Sequence, residues 1–430
     1  MANLAAEFAG LKLKNPLVVS SAGITETVEK MRRCQEAGAA AVVIKSWFEE
    51  EVCRVGPSPR YHVIRHDMGL EKSFSFFSYE QASEWDLDRY AQEVRGAKAE
   101  LDIKIIASIN CVTDEGWVRA ARAIVEAGAD AIELNTSCPH GSITFRGGDV
   151  EETIASTVAK VRRAVDLPLI AKISPMLTSP LALVARLKDV GADGVTIFNR
   201  MTGLDIDPDA EAPIMHGGYA GHGGPWAIQY PLRWISEISQ KVDIDIAGSG
   251  GVASGVDAAK YILAGATVVQ MCTAIVLNGY GAIGEVIGGL ARWMDDKGHP
   301  DLASFRGVAA RRILGTHEVD RAQKFTALIH PHLDAPCVHA CPAHVPAQTY
   351  VDRIARGDFA GALEAVREAQ RCLRCGCGIG CELCLRICPY DAVKADGYYF
   401  SVDTELCKGC GLCIERCPLS NISAQSSVVS

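Results

Sequence analysis

Eight short apolar runs alternating with amphipathic stretches, four helix ends of one design and a cysteine-rich tail make this an α/β sequence. The arrangement they predict is a (β/α)8 TIM barrel followed by a smaller metal-binding region. The runs are Leu17–Ser20, Ala41–Lys45, Ile105–Asn110, Ala131–Asn135, Leu169–Ser174, Gly194–Asn199, Asp243–Gly248 and Thr267–Thr273. Each is nearly continuous in apolar or β-branched residues, as parallel strands covered on both faces must be. Helical patterns such as Trp117–Ala127, Ile154–Val165 and Leu181–Val190 lie between them. Gly38-Ala39, Gly128-Ala129, Gly191-Ala192 and Gly265-Ala266 close four of the helices, where glycine takes a left-handed cap and returns the chain to the sheet. A doubly wound sheet is the competing arrangement.

The 430 residues leave room for two or three domains. Composition is ordinary for a globular chain, 48% hydrophobic and 22% charged. A net charge of −9 argues against nucleic-acid binding, which requires a basic face. No apolar run approaches the roughly 20 residues of a bilayer span, and Met1-Ala2-Asn3-Leu4 opens no secretory pattern. No nucleic acid and no membrane are therefore expected as partners, and the expected compartment is cytoplasmic. Thiols stay reduced there, so clustered cysteines read as metal ligands rather than disulfides.

Twelve of the 17 cysteines lie between Cys337 and Cys417. The last run, Cys407-x2-Cys410-x2-Cys413-x3-Cys417-Pro418, has the spacing with which bacterial ferredoxins hold [4Fe–4S] clusters. The run before it, Cys377-x3-Cys381-x2-Cys384-x3-Cys388-Pro389, is one residue longer in its first gap. In two-cluster ferredoxins the fourth cysteine of each run ligates the other cluster. The expected sets are Cys377, Cys381, Cys384 and Cys417 for one cluster, and Cys407, Cys410, Cys413 and Cys388 for the other. Structural zinc also uses four cysteines, but the paired Cys-Pro endings favour clusters. Cys337, Cys341, Cys372 and Cys375 remain, enough for a third [4Fe–4S] site unless Cys375 competes with Cys377. The expected domains are a barrel over 1–329, a helical iron–sulfur segment over 330–376 and a 2[4Fe–4S] ferredoxin-like domain over 377–430. The linker is placed at His330–Ala335.

A barrel does its chemistry at the C-terminal ends of its strands. Those ends read Ser20-Ser21, Lys45-Ser46, Asn110, Asn135-Thr136-Ser137-Cys138, Lys172, Asn199-Arg200, Gly250-Gly251 and Cys272-Thr273. Seven carry polar or ionisable side chains that a merely structural barrel does not need. Gly250-Gly251 after the seventh strand, with the helix start after the eighth, suits a phosphate, although a glycine pair can also simply make a turn. A cluster tail carries single electrons, whereas organic dehydrogenation moves pairs. Flavin interconverts the two, so FMN is the expected cofactor. Lys45 and Lys172 suit the ring edge that becomes negative on reduction; the alternative is a structural lysine paired with a carboxylate. Cys34, Cys53, Cys111 and Cys272 show no partner pattern, and their thiols read as core filling.

Several stretches resemble the dihydropyrimidine dehydrogenase and class 1 dihydroorotate dehydrogenase family. They are Asn15-Pro16-Leu17, Ala107-Ser108-Ile109, Glu133 to Gly141 (ELNTSCPHG), Ala171 to Pro175 (AKISP) and Gly250-Gly251-Val252. The resemblance spans roughly residues 3–300. It implies FMN at the barrel mouth, contacted by Ser21, Lys45, Asn110, Lys172, Gly250, Gly251 and Thr273, with Cys272 beside the last. Gly221-His222-Gly223-Gly224 resembles the family's glycine-rich flavin loop, which adds Gly223 and Gly224. The resemblance also makes Cys138 the acid/base. Hydride goes to one carbon of an activated C=C bond and a thiol protonates its neighbour. Cysteine's ordinary pKa of about 8.5 allows both directions, and Pro139–Gly148 has the glycines of a lid. The alternative is an inert buried thiol.

For the substrate, the resemblance implies asparagines gripping the amide edge of a pyrimidine, here Asn135 and Asn199 with Ser137 nearby. Two departures stand out. Arg200 replaces a small hydroxyl residue, and Arg65-His66-Asp67-Met68-Gly69 lacks an expected asparagine. An arginine suits a carboxylate, unless it turns to solvent. The Pro336–Pro342 stretch with the following helix resembles the iron–sulfur segment of glutamate synthase small subunits. No G-x-G-x-x-G dinucleotide fingerprint occurs, so electrons are expected to pass through a partner, an NAD(P)H-oxidising flavoprotein subunit or a ferredoxin, in an oligomer. The expected enzyme reduces or forms a C=C bond of a pyrimidine-like substrate. The alternatives are a carboxylate-bearing, non-pyrimidine substrate or an electron-relay subunit without substrate chemistry.

Overall fold

The computed structural model describes residues 2–65, 74–79, 82–136, 149–214, 219–315, 317–319, 353–363, 383–396, 399–408, 410 and 412–413. Eight parallel strands form the barrel: β1 (Leu17–Val19), β2 (Ala41–Val43), β3 (Lys104–Asn110), β4 (Ala131–Asn135), β5 (Leu169–Ile173), β6 (Gly194–Ile197), β7 (Asp245–Ser249) and β8 (Val268–Met271). They neighbour one another in sequence order, β8 pairs with β1, and the ring is complete. All eight expected strands are present. The apolar runs outlast the ladder at β2, β6 and β8 because Lys45, Asn199 and Cys272 already leave the sheet for the rim.

Helices follow the strands with caps readable from the sequence. Thr27, Asp86, Thr113, Asp149, Ser179 and Ser254 each accept the backbone N–H three residues on, satisfying a donor that the first turn leaves unpaired. The four Gly-Ala junctions are left-handed, with φ of 103°, 83°, 100° and 111° at Gly38, Gly128, Gly191 and Gly265, where a Cβ would be strained.

Period-two alternation sorts the barrel interior into levels. Val18, Ala41, Val43, Ile106, Ala131, Ile170, Ala247 and Val268 share one buried apolar cluster. That cluster also holds Phe8, Leu11 and Leu13 of the N-terminal hairpin Ala6–Phe8/Leu11–Leu13. The hairpin closes the N-terminal end of the barrel: a Cβ on Gly194 would stand 3.2 Å from the Phe8 ring. Two residues further along the strands the inward positions turn polar: Ser20, Lys45, Ser108, Glu133, Lys172, Thr196 and Gln270, all buried.

A four-stranded antiparallel sheet covers part of the C-terminal end. It comprises Tyr61–Arg65, Phe74–Ser78, Ala220–Gly223 and Met201–Gly203. It was not anticipated, because its strands are short, glycine-interrupted and drawn from loops after β2 and β6. Tyr61, Val63 and Phe76 on one face join the main core, whereas Phe77 and Tyr79 on the other form a separate cluster with Ala220.

The tail contributes the helix Leu383–Ile387 and the hairpin Val393–Asp396/Tyr399–Val402. Ile387, Cys410 and Leu412 pack into the barrel's main core cluster. The Arg60 N–H donates to the Tyr390 hydroxyl at 2.6 Å, and Arg33 pairs with Asp391 at 3.5 Å. The linker and both domain boundaries fall outside the described residues. Cys34 and Cys111 are buried and Cys53 and Cys272 half-buried. Among the described residues no helix is long and apolar enough to cross a membrane.

Truncating the plug tests this architecture. Phe8→Ala is expected to cost about 3–5 kcal/mol, the usual loss for a buried phenylalanine, read as a lower urea midpoint with an unchanged slope.

Candidate active site at the barrel mouth

Because all eight strands run one way, their C-terminal residues meet at one rim, where side-chain bonds join them. The Ser46 hydroxyl lies 3.0 Å from that of Ser21 and 2.8 Å from that of Ser108. The Asn135 amide donates to Ser46 Oγ at 3.2 Å, and that of Asn110 to the Asn135 carbonyl at 2.7 Å. Asn199 Nδ2 donates to Asn135 Oδ1 at 3.0 Å, bringing together two residues that were singled out separately. Ser137 and Cys138, with the expected lid, lie outside the described residues.

Below the rim, Lys172 is 5% exposed and its Nζ has three acceptors: Ser20 Oγ at 3.2 Å, Glu133 Oε1 at 3.3 Å and Gln270 Oε1 at 3.3 Å. Glu133 is fully buried; its carboxylate also accepts from Gln270 Nε2 at 2.9 Å, Thr196 Oγ1 at 3.1 Å and Ser108 Oγ at 3.4 Å. The structural alternative for Lys172, a carboxylate partner, is thus part of its environment. Neither Glu133 nor Gln270 was singled out. The signal was a charged or amide side chain at the inward position of an otherwise apolar strand, where burial requires partners.

Gly250 and Gly251 have φ of 110° and 70°. A Cβ on Gly251 would meet Ile228 N at 2.8 Å and Pro225 O at 2.9 Å, so only glycine fits. The helix Thr273–Asn278 opens directly beyond β8, and its cap residue Cys272 makes no side-chain capping bond. A Cβ on Gly223 would face open space, and Gly224 caps the short turn Pro225–Ile228. A glycine cradle beside two buried amines, Lys45 and Lys172, is a donor set that fits a phosphate-bearing cofactor with an anionic ring edge.

Arg200 does not turn to solvent. A Cβ on Gly221 would overlap its side chain, and its Nη1 donates to Ser78 Oγ at 3.1 Å. Gly221 and Ser78 are partners across the cap sheet, and Ser78 is in turn opposite Tyr61. This is the face that joins the barrel core, so the guanidinium lies on the barrel side. Among the described residues it bonds Ser78 and no carboxylate.

In the tail, Cys384, Cys388, Cys407, Cys410 and Cys413 are described; Cys337, Cys341, Cys372, Cys375, Cys377, Cys381 and Cys417 lie outside the described residues. Burial pushes the Cys410 thiol up to about 11, and Cys388, Cys413 and Cys407 lie near enough to add to the effect. That grouping coincides with one expected ligand set. The Ala392 N–H reaches Cys388 Sγ at 3.3 Å, the kind of bond that tunes a cluster. Among the described residues no three ligands converge on a single metal ion; thiolates at the corners of a cluster stand further apart.

A closed barrel with a cationic polar mouth and a thiol-rich tail docked on its flank defines a redox enzyme of the α/β-barrel class. Residues 3–294 match the family model of dihydroorotate dehydrogenase, and residues 377–428 that of the LdpA Fe–S cluster-binding domain. The chain belongs to the dihydroorotate dehydrogenase family: it is an FMN- and iron–sulfur-containing oxidoreductase acting on CH–CH bonds. It is 30% identical over 303 residues to the dihydroorotate dehydrogenase B (NAD(+)) catalytic subunit of Pyrococcus abyssi, covering 70% of this chain and 97% of that one. The corresponding subunit of Thermoplasma acidophilum is 31% identical, over 72% and 100%. The NAD-dependent dihydropyrimidine dehydrogenase subunit PreA of Escherichia coli K12 is 29% identical over 348 residues, 77% of this chain and 82% of that one.

Near the rim, Glu49 holds the turn after β3. It accepts from the Val112 N–H at 2.6 Å, the Thr113 N–H at 2.8 Å and the Thr113 hydroxyl at 2.5 Å. Burial resists its ionisation, but these bonds prevail and hold the carboxyl below its ordinary value. A lowered folded pKa adds stability above the unfolded pKa, lost as pH falls through the folded one. Glu49→Gln is therefore expected to unfold at a lower temperature at pH 7, with the gap closing below about pH 4. A gap independent of pH in thermal melts would contradict this.

Proposed function

We propose that the chain is the FMN- and iron–sulfur-bearing subunit of a dihydropyrimidine dehydrogenase-type enzyme, reducing or forming the C=C bond of a pyrimidine-like substrate. The observation that carries this reading is the bonded Asn135–Asn199 pair at the mouth, above the buried Lys172 and beside the glycine cradle. FMN bound there supplies hydride exchange with the substrate and single-electron exchange with the clusters. Gly250, Gly251, Cys272 and Thr273 would hold its phosphate, with Gly223 and Gly224 alongside. Lys45 and Lys172 would face the ring edge, and Ser21 and Asn110 complete the polar contacts.

The two asparagines satisfy each other with an amide N–H and C=O. A pyrimidine presents the same two groups on its ring edge, so it can take over these bonds without leaving a buried amide unpaired. Cys138, following Asn135 and Ser137 in the chain, would exchange the proton at the carbon next to the one exchanging hydride. Cys377, Cys381, Cys384 and Cys417 would hold one cluster and Cys388, Cys407, Cys410 and Cys413 the other. Cys337, Cys341, Cys372 and Cys375 would hold a third. The NAD-linked names of the relatives, two of them called catalytic subunits, support an NAD(P)H-oxidising flavoprotein as partner; a ferredoxin is the alternative.

Arg200 favours a second reading. A half-buried guanidinium facing the barrel without a carboxylate partner among the described residues suits an acidic substrate. An anaerobic titration with dihydrouracil, dihydrothymine and dihydroorotate separates the readings through flavin and iron–sulfur absorbance. Bleaching by the neutral rings supports the pyrimidine site, and bleaching by dihydroorotate alone gives Arg200 its acid. Silence with FMN and iron present rejects all three substrates.

Cys138→Ala is expected to lose about 10²–10⁴-fold in turnover with flavin content intact, the usual range for a proton donor. Unchanged turnover would remove the acid/base role. Arg200→Ser should raise KM at least about tenfold for an acidic substrate, one desolvated charged bond, and leave a neutral one unaffected.

A further inference from the structure

Barrel interiors are ordinarily packed with branched apolar side chains, yet this one holds a fully buried carboxylate one level below the mouth. Glu133 takes bonds from Lys172, Gln270, Thr196 and Ser108, on four different strands. Four donors hold it as a carboxylate, and the Lys172 ammonium stands 3.3 Å away. Apolar filling of similar volume would serve stability as well as a buried ion pair or better. The pair therefore calls for an explanation at the mouth rather than in the core.

We propose that Glu133 sets the redox poise of the flavin site by neutralising Lys172, with Gln270 fixing the geometry of the pair. This rests on the reading of the mouth as an FMN site. The Gln270 amide is held at both ends, its Nε2 donating to Glu133 and Thr196 and its Oε1 accepting from Lys172 and Ser20. It ties the ammonium and the carboxylate into one unit of no net charge. Lys172 thus offers the ring edge a hydrogen-bond donor with its full positive charge largely cancelled. The site then favours anionic reduced flavin less than a lone lysine would, and electrons leave the flavin for the clusters more readily. Positioning and charge are separable here: Glu133→Gln keeps the shape and removes the charge, whereas Gln270→Glu sets a second carboxylate against Lys172.

The test is anaerobic equilibrium dialysis of FMN against the full chain, giving the ratio of the oxidised to the reduced dissociation constant. Glu133→Gln is expected to raise that ratio about tenfold, which for a two-electron couple is about 30 mV. Gln270→Glu should lower it, and in a Lys172→Met background the Glu133→Gln effect should vanish. If Glu133→Gln does not fold, Gln270→Glu carries the test alone. A folded variant with the wild-type ratio overturns the proposal, because a purely structural role would change stability and leave the ratio fixed. A wild-type chain that binds neither oxidation state sinks the flavin reading and this inference together. Wild-type binding with a ratio indifferent to both substitutions sinks this inference alone.

Discussion

Two residues along a strand separate the apolar floor of this barrel from its polar mouth. Closure of eight parallel strands sends alternate side chains inward, so each strand has only two or three positions with which to fill the interior and build a site. Ala131, Glu133 and Asn135 of β4 perform three duties in five residues: floor, charged layer and rim. The same step runs from Ile106 through Ser108 to Asn110 and from Val18 to Ser20. A register slip on any strand would move its rim group toward the outer helices. The polar layer is affordable only because each of its members finds partners on other strands.

The barrel was legible because its signals are local. A buried parallel strand must be apolar throughout, a helix must be capped, and Gly38, Gly128, Gly191 and Gly265 had to be left-handed to turn the chain back. The rim was legible for a related reason, since strand direction alone carries Ser21, Lys45, Asn110, Asn135, Lys172 and Asn199 to one end. The partnerships were not legible. That Glu133 pairs with Lys172, 39 positions away, or that Gln270 bonds both, depends on which residues closure brings opposite one another. The cap sheet was missed because its four strands come from two distant loops and owe their order to pairing with each other. Arg200 could be read as a departure from a resemblance, but its direction depended on Gly221 and Ser78 lying beneath it.

The tail joins the barrel through both packing and polar contacts. Ile387 and Leu412 lie in the same core cluster as the barrel helices, and Cys410 is buried among them. A Cβ on Gly279, at the end of the helix that opens beyond β8, would meet the Arg386 carbonyl at 2.9 Å. The ligand-bearing segment therefore packs against the helix whose other end faces the mouth, and the two cannot shift independently without opening that contact. A cluster site seated in apolar surroundings is shielded from water, one of the levers that set its potential.

The hairpin that carries Phe8 stops the barrel at its N-terminal end and leaves a single doorway. With one doorway, an enzyme whose reductant and substrate shared a pocket would have to empty it between half-reactions. Here the docked tail offers electrons a side entrance through the wall, along the helix after β8. Traffic in matter and traffic in charge are thereby separated: the doorway belongs to the organic molecule, and a redox partner has no reason to approach it.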